Sequence, residues 1–71
     1  MKVAVLLYEG FDELDAIGPY EVLENAATVG ADCLTSLCTL DGRERVTASH
    51  GLDVAVDARL DDLSPDLLVV P

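Results

Sequence analysis

Two stretches of this chain contain no polar residue: Val3-Ala4-Val5-Leu6-Leu7 and Leu67-Leu68-Val69-Val70. Short apolar runs rich in branched residues and lacking alternation mark strands covered on both faces, the arrangement of parallel sheets. Such a sheet needs helices on each side. Only one segment between the runs can form a full helix. The sequence therefore predicts an α/β fold with a mostly parallel sheet, as one incomplete domain over residues 1–71. The alternative is a small protein completed by oligomerisation, one way short chains offset a thin core.

The helical segment follows Glu9-Gly10, which breaks the first run. Asp12 offers an N-cap, and Asp15 three residues on makes a variant of the capping box. The helix is expected to reach about Thr28, with Gly30 as its stop. Pro19 lies inside it, lacks an N–H for the Asp15 carbonyl and crowds that carbonyl, so a kink is expected. Tyr20, Val22, Leu23, Ala26 and Ala27 share one broad side, and Glu21, Glu24, Asn25 and Thr28 the other. Asp15 precedes Val22 by seven residues and Ala26 by eleven, which projects it onto the apolar side. Glu13 projects with the solvated residues.

Further strands are expected over Ala31–Leu40, Glu44–Ala48 and Leu52–Val56, with a turn at Asp41-Gly42. Leu60 to Leu63 reads as one helical turn ended by Ser64-Pro65. Cys33 and Cys38 are five apart in an expected strand, so they fall on opposite faces and cannot bridge there. Both read as small buried hydrophobes. Two cysteines and one histidine, His50, form no zinc pattern, so no metal site is expected.

No run approaches the roughly 20 apolar residues of a membrane-spanning helix. No basic leader with a long apolar stretch begins the chain, and a cytoplasmic protein is expected. Fourteen acids face four basic residues, for a net charge of −10. A surface of that sign repels phosphate backbones, which argues against nucleic acid as a partner. The charge is either that of an ordinary acidic soluble protein or an adaptation to high salt, the reading favoured by the near absence of lysine.

No dinucleotide fingerprint, phosphate loop or serine elbow occurs, and no cofactor is expected. Tyr8-Glu9 at the end of the first strand is not a pair of acids, so a metal-dependent phosphoacceptor pocket has no support. What remains is Asp15, just beyond the carboxyl end of a central strand, where open α/β sheets place their ligands. There it could position a nucleophile or exchange a proton with substrate. It could equally be a helix-capping acid favoured by the dipole. His50, beside Gly51, reads as a turn residue.

The run Val3-Ala4-Val5-Leu6-Leu7-Tyr8-Glu9-Gly10-Phe11, followed by Asp12-Glu13-Leu14-Asp15 and Gly18-Pro19-Tyr20-Glu21-Val22-Leu23, resembles the N-terminus of the ThiJ/PfpI family, within the class I glutamine-amidotransferase-like superfamily. Val46 to Gly51 and Asp66 to Pro71 are similar to later family segments. The resemblance spans nearly all of these residues but only about the first third of a family member. It implies a flavodoxin-like three-layer sandwich, a homodimer and a small-molecule substrate. It also implies a cysteine nucleophile on a downstream strand-to-helix elbow, which neither Cys33 nor Cys38 matches. The family's first-helix acid, which hydrogen-bonds that cysteine, matches Asp15. Deglycase-like and protease-like members carry glutamate there. Aspartate followed by Gly18-Pro19 is similar to the isonitrile hydratase-like branch, and to sensor domains of some transcription regulators.

The charge itself is testable. If the acidic surface is a salt adaptation, screening relieves its self-repulsion and Tm is higher in molar salt than in dilute buffer. Equal melting in both conditions removes that reading.

Overall fold

The computed structural model describes residues 1–71. Strand β1 (Lys2–Leu6) leads through a loop into helix α1 (Glu13–Thr28), which returns to β2 (Leu34–Thr39). Strands β3 (Arg45–Thr47) and β4 (Asp53–Ala55) form an antiparallel hairpin. The two-residue β5 (Ala58–Arg59), a 3-10 turn over Leu60–Asp62 and β6 (Leu67–Val69) complete the chain. The main sheet runs β5-β2-β1-β6, and every pair in it is parallel.

The apolar first run becomes the second-from-edge strand, paired on both sides. Val3, Ala4, Val5 and Leu7 are buried. Val3 and Val5 stand level with Thr35 and Leu37 on one face; Ala4 and Leu6 stand level with Ser36 and Cys38 on the other. The first face carries the core: Val5, Leu7 and Leu37 pack with Phe11, Ala16, Val46 and Ala48. On the second face, Ala4 and Ser36 together with Asp62, Leu63, Ser64 and Pro65 line a recess of about 230 Å³. No helix covers that face, and none in the chain is long and apolar enough to cross a membrane.

Helix α1 starts and stops as its sequence requires. The Asp12 carboxylate accepts from the N–H of Leu14 (3.0 Å) and of Asp15 (3.2 Å), which satisfies two of the orphan amides of the first turn. At the other end, Gly30 N–H donates to Ala27 C=O and Ala31 N–H to Ala26 C=O. That closure requires a left-handed residue, and Gly30 supplies it at φ 106°. The helix is assigned unbroken through Pro19, so the expected kink does not interrupt it. One missing N–H costs a single ladder bond, and the turns on either side continue the helix.

The hairpin is fastened to the β1–α1 loop by backbone. Gly10 N–H donates to Thr47 C=O and Ser49 N–H to Phe11 C=O, both at 2.8 Å. Gly10 turns the chain at φ 81°, a left-handed conformation that glycine adopts without penalty. The Phe11 ring is thereby sealed between the sheet, the helix and the hairpin.

Several expectations are corrected. The second strand begins at Leu34 rather than Ala31, so Cys33 precedes it and is only partly buried; Cys38 is buried, and both thiols are free. Strand β5 has no sequence signal, because two residues cannot display a period. Among residues 1–71, strand β6 lies at the sheet edge, and Leu67, Leu68 and Val70 are exposed. Apolar composition reports a tendency to be buried, not the presence of neighbours.

Phe11 is the largest fully buried side chain. Phe11→Ala is expected to destabilise the fold by about 3–5 kcal/mol. Leu14→Ala, at an exposed helical position, should stay within about 0.5 kcal/mol. Urea titration of both variants checks the contrast; equal losses contradict this account of the core.

Candidate functional site

The order β5-β2-β1-β6 makes β1 the strand from which the chain winds in opposite directions. Its first crossover, through α1, leads to β2 on one side, and β6 is added on the other. Ligand sites of open α/β sheets lie outside the carboxyl ends of the strands at such a switch. Here those ends are tied together, since the Tyr8 hydroxyl donates to the Pro71 carbonyl. The first turn of α1 starts just beyond the same end of β1.

Asp15 is the third residue of α1, and it is exposed. The inward projection read from the sequence is therefore corrected. The spacing to Val22 was sound, but Val22 is itself 67% exposed. The true inner face centres on Ala16, with Tyr20, Leu23 and Ala27 at least partly buried along it. Asp15 and Val22 share a flank about 100° or more from that centre. Asp15 joins the capping network through its N–H, and its carboxylate takes no partner within the chain. The capping-box bond to Asp12 is not made.

Glu13, read as solvated, is instead the engaged acid. Its Oε1 accepts from the Ser49 hydroxyl at 3.0 Å, and its Oε2 accepts from the His50 N–H at 2.8 Å. His50 Nδ1 stands 3.0 Å from the same Oε1 and 3.1 Å from Ser49 Oγ. The Glu13 side chain is only 21% exposed, whereas His50 is 82% exposed. Desolvation pushes the Glu13 carboxyl up, but bonds from the His50 ring, its own backbone, Ser49 and the His50 amide outweigh it, lowering its pKa to about 2. The hydrogen bond and charge of Glu13 push His50 up, with Asp12 adding to this against desolvation. Serine, histidine and acid side by side suggest a proton relay, yet Ser49 and Glu13 both meet the same ring nitrogen. No proton can pass through the imidazole between them, as a relay requires. The cluster is a latch joining the hairpin tip to the helix.

A second exposed network ties the loops after β1 and β2. Arg43 donates through Nη1 to Glu9 Oε1 (2.9 Å) and through Nε to Asp41 Oδ2 (2.9 Å). Glu9 also accepts from the Thr47 N–H. The Arg43 hydrogen bonds hold the Asp41 carboxyl below the usual range. A cleft of about 370 Å³ opens beside these groups, walled by Leu6, Tyr8, Thr39 and Leu40 among others; Asp15 does not line it. No group of side chains is arranged to hold a metal ion. Burial pushes the Cys38 thiol up, which disfavours a thiolate.

Local sequence gives no sign of the latch, because Ser49 and His50 are 36 and 37 residues from Glu13. Its pH dependence follows from the two shifts. The His50 contribution is complete below its ordinary value of 6.5 and is lost as pH rises through the raised value. The Glu13 contribution is complete above its ordinary 4.5 and is lost as pH falls towards 2. Both operate between 4.5 and 6.5. Chemical denaturation of His50→Ala across pH is expected to lack the alkaline decline that the parent shows; identical profiles contradict the latch.

The DJ-1/PfpI family model matches residues 1–71. No curated relative matches by sequence. Among solved structures, oxidized DJ-1 from Toxoplasma gondii superposes with a TM-score of 0.82 at 20% identity, over 99% of this chain and 37% of that one. An AraC family transcriptional regulator from Pseudomonas putida gives a TM-score of 0.79 at 29% identity, over 97% and 44%. A DJ-1 superfamily protein from Agrobacterium tumefaciens gives 0.72 at 28%, over 100% and 37%. The chain thus spans well under half the length of the structures it matches. With the strand order, the helix start and the full-length family match in agreement, the chain belongs to the DJ-1/PfpI family.

Proposed function

We propose that this chain is the N-terminal portion of a cysteine-dependent enzyme, of the isonitrile hydratase or hydrolase type, and that Asp15 is the carboxylate partner of its nucleophile. The observation that carries the reading is the placement of Asp15. It lies on the first turn of α1, which starts just beyond the carboxyl end of β1, and its carboxylate has no partner within the chain. The cysteine is supplied by sequence outside these residues, because Cys38 is buried and Cys33 stands before β2 at the opposite end of the sheet. In hydratase chemistry the cysteine sulfur attacks the isocyanide carbon, and water then yields an N-substituted formamide. Asp15 would hold or move the proton in that sequence. The scheme uses a small-molecule substrate and no cofactor or metal. A homodimer, a cytoplasmic location and an acidic surface suited to high salt belong to the same proposal.

A second reading is a ligand-sensing domain without catalysis, or an inactive structural unit. The similarity to the Pseudomonas putida AraC family regulator, at 29% identity, favours the sensing form.

The two readings separate by mutation of the intact protein. Asp15→Asn is expected to lower kcat/KM by about 10²–10⁴, the usual worth of a positioned acid or base. Tm should hardly change, since the Asp15 carboxylate bonds nothing in the fold. Formamide release from an alkyl isocyanide and a thermal melt measure the two quantities. Unchanged specific activity alongside a large loss of folded protein rejects the catalytic role. The 71 residues alone should show no thiol-dependent turnover.

A further inference from the structure

We infer that Glu13 is a positioning residue: by latching the hairpin tip to the first turn of α1, it sets the roll of that turn and aims Asp15 away from the hairpin, over the open flank of the helix. The inference rests on the reading of Asp15 above.

The geometry is that of a short lever. Residues 13 and 15 of one helix lie about 200° apart around its axis. Glu13 points at Ser49 and His50; Asp15 therefore points to the far side, towards the flank shared with exposed Val22. Ala16 faces the core between these two directions, and Leu14 faces solvent opposite it. Ala16 alone is a weak stop against rolling, because a methyl group fills little space. The acid at 13 supplies what the methyl group cannot, namely two carboxylate oxygens held by three donors on another element. Charge-assisted bonds of this kind are directional as well as strong. The hairpin tip is itself pinned, through Ser49 N–H to Phe11 C=O and Ala48 N–H to Leu52 C=O, both at 2.8 Å. A fixed tip and a fixed acid leave the helix start one orientation.

This explains a division of labour among three neighbouring acids. Asp12 caps the helix amides, Glu13 holds the hairpin, and Asp15 is left with its carboxylate unengaged. The titratable and charged groups near His50 are Glu13 and Asp12 from the helix start; from its own turn it meets only the Ser49 hydroxyl.

The test reads orientation directly and needs no turnover. Residual dipolar couplings of the amides of residues 14–17, referred to those of β1, are measured in the intact protein alongside the His50 ring titration. In Glu13→Ala, His50 is expected to titrate at its ordinary position, the couplings to depart from the parent's, and the Ser49 and His50 amides to exchange about tenfold faster or more. Glu13→Gln keeps one acceptor oxygen, for the His50 amide, while its NH2 can donate to the Ser49 hydroxyl, and it should restore the couplings while His50 stays at its ordinary position. The double variant Ser49→Ala/His50→Ala removes two of the three donors without altering α1, leaves the residue-50 amide on Glu13, and should shift the couplings in the same direction as Glu13→Ala by a smaller amount. Parental couplings in that double variant, or in a folded Glu13→Ala whose His50 has been released, overturn the inference. The Asp15→Asn assay is separate: a non-catalytic Asp15 leaves the couplings result standing, and an ineffective latch leaves the Asp15 assay untouched.

Discussion

Strand β1 is the element on which the other parts depend. It is paired on both sides, buried on both faces, and gives its carboxyl end to the loop that starts α1. A strand with parallel neighbours on each side leaves few backbone groups for solvent, so its apolar composition carries little cost. The chain leaves β1 in one direction through α1 and comes back to its other side at β6. That reversal is the kind of switch point beyond which open α/β sheets place ligands, and here the Tyr8 hydroxyl bridges it to the Pro71 carbonyl.

The second constraint is the seal around Phe11. A loop between a strand and a helix is normally mobile and exposed. Here the hairpin adds backbone bonds to it at Gly10 and Phe11, and the ring fills the space beneath. Because the loop is held, the helix start is held, and three acids within four residues can take three different tasks. The exposed ion pairs of Arg43 with Glu9 and Asp41 add little to stability in water, since solvent screens them. Their effect is geometric, joining the loops that follow β1 and β2.

Membership of the DJ-1/PfpI family accounts for the fold. The isonitrile hydratase-type reading goes further and depends on chemistry supplied beyond these residues. The sensing alternative proposed beside it draws on the likeness to an AraC family transcriptional regulator at 29% identity. Both uses would need the same thing from this part of the scaffold: a carboxylate whose direction is set before a ligand arrives, which lowers the ordering cost of binding.

Much was legible before any coordinates. The parallel α/β class, the extent of α1, the Asp12 cap and the Gly30 stop all rest on local chemistry, and each stands in the structure. The inward aspect of Asp15 does not, because it rests on spacings to Val22, which is exposed, and to Ala26, which is only partly buried. Nor does the role of Glu13, whose partners come from a hairpin more than thirty residues away. Local sequence determines which segments become helix and strand, since propensity, caps and periodicity act over a few residues. Which acid is clamped and which is left free depends on where a distant turn is packed. Only the tertiary structure decides that, because hydrogen bonds between remote segments exist only after the sheet and the Phe11 seal have brought those segments together.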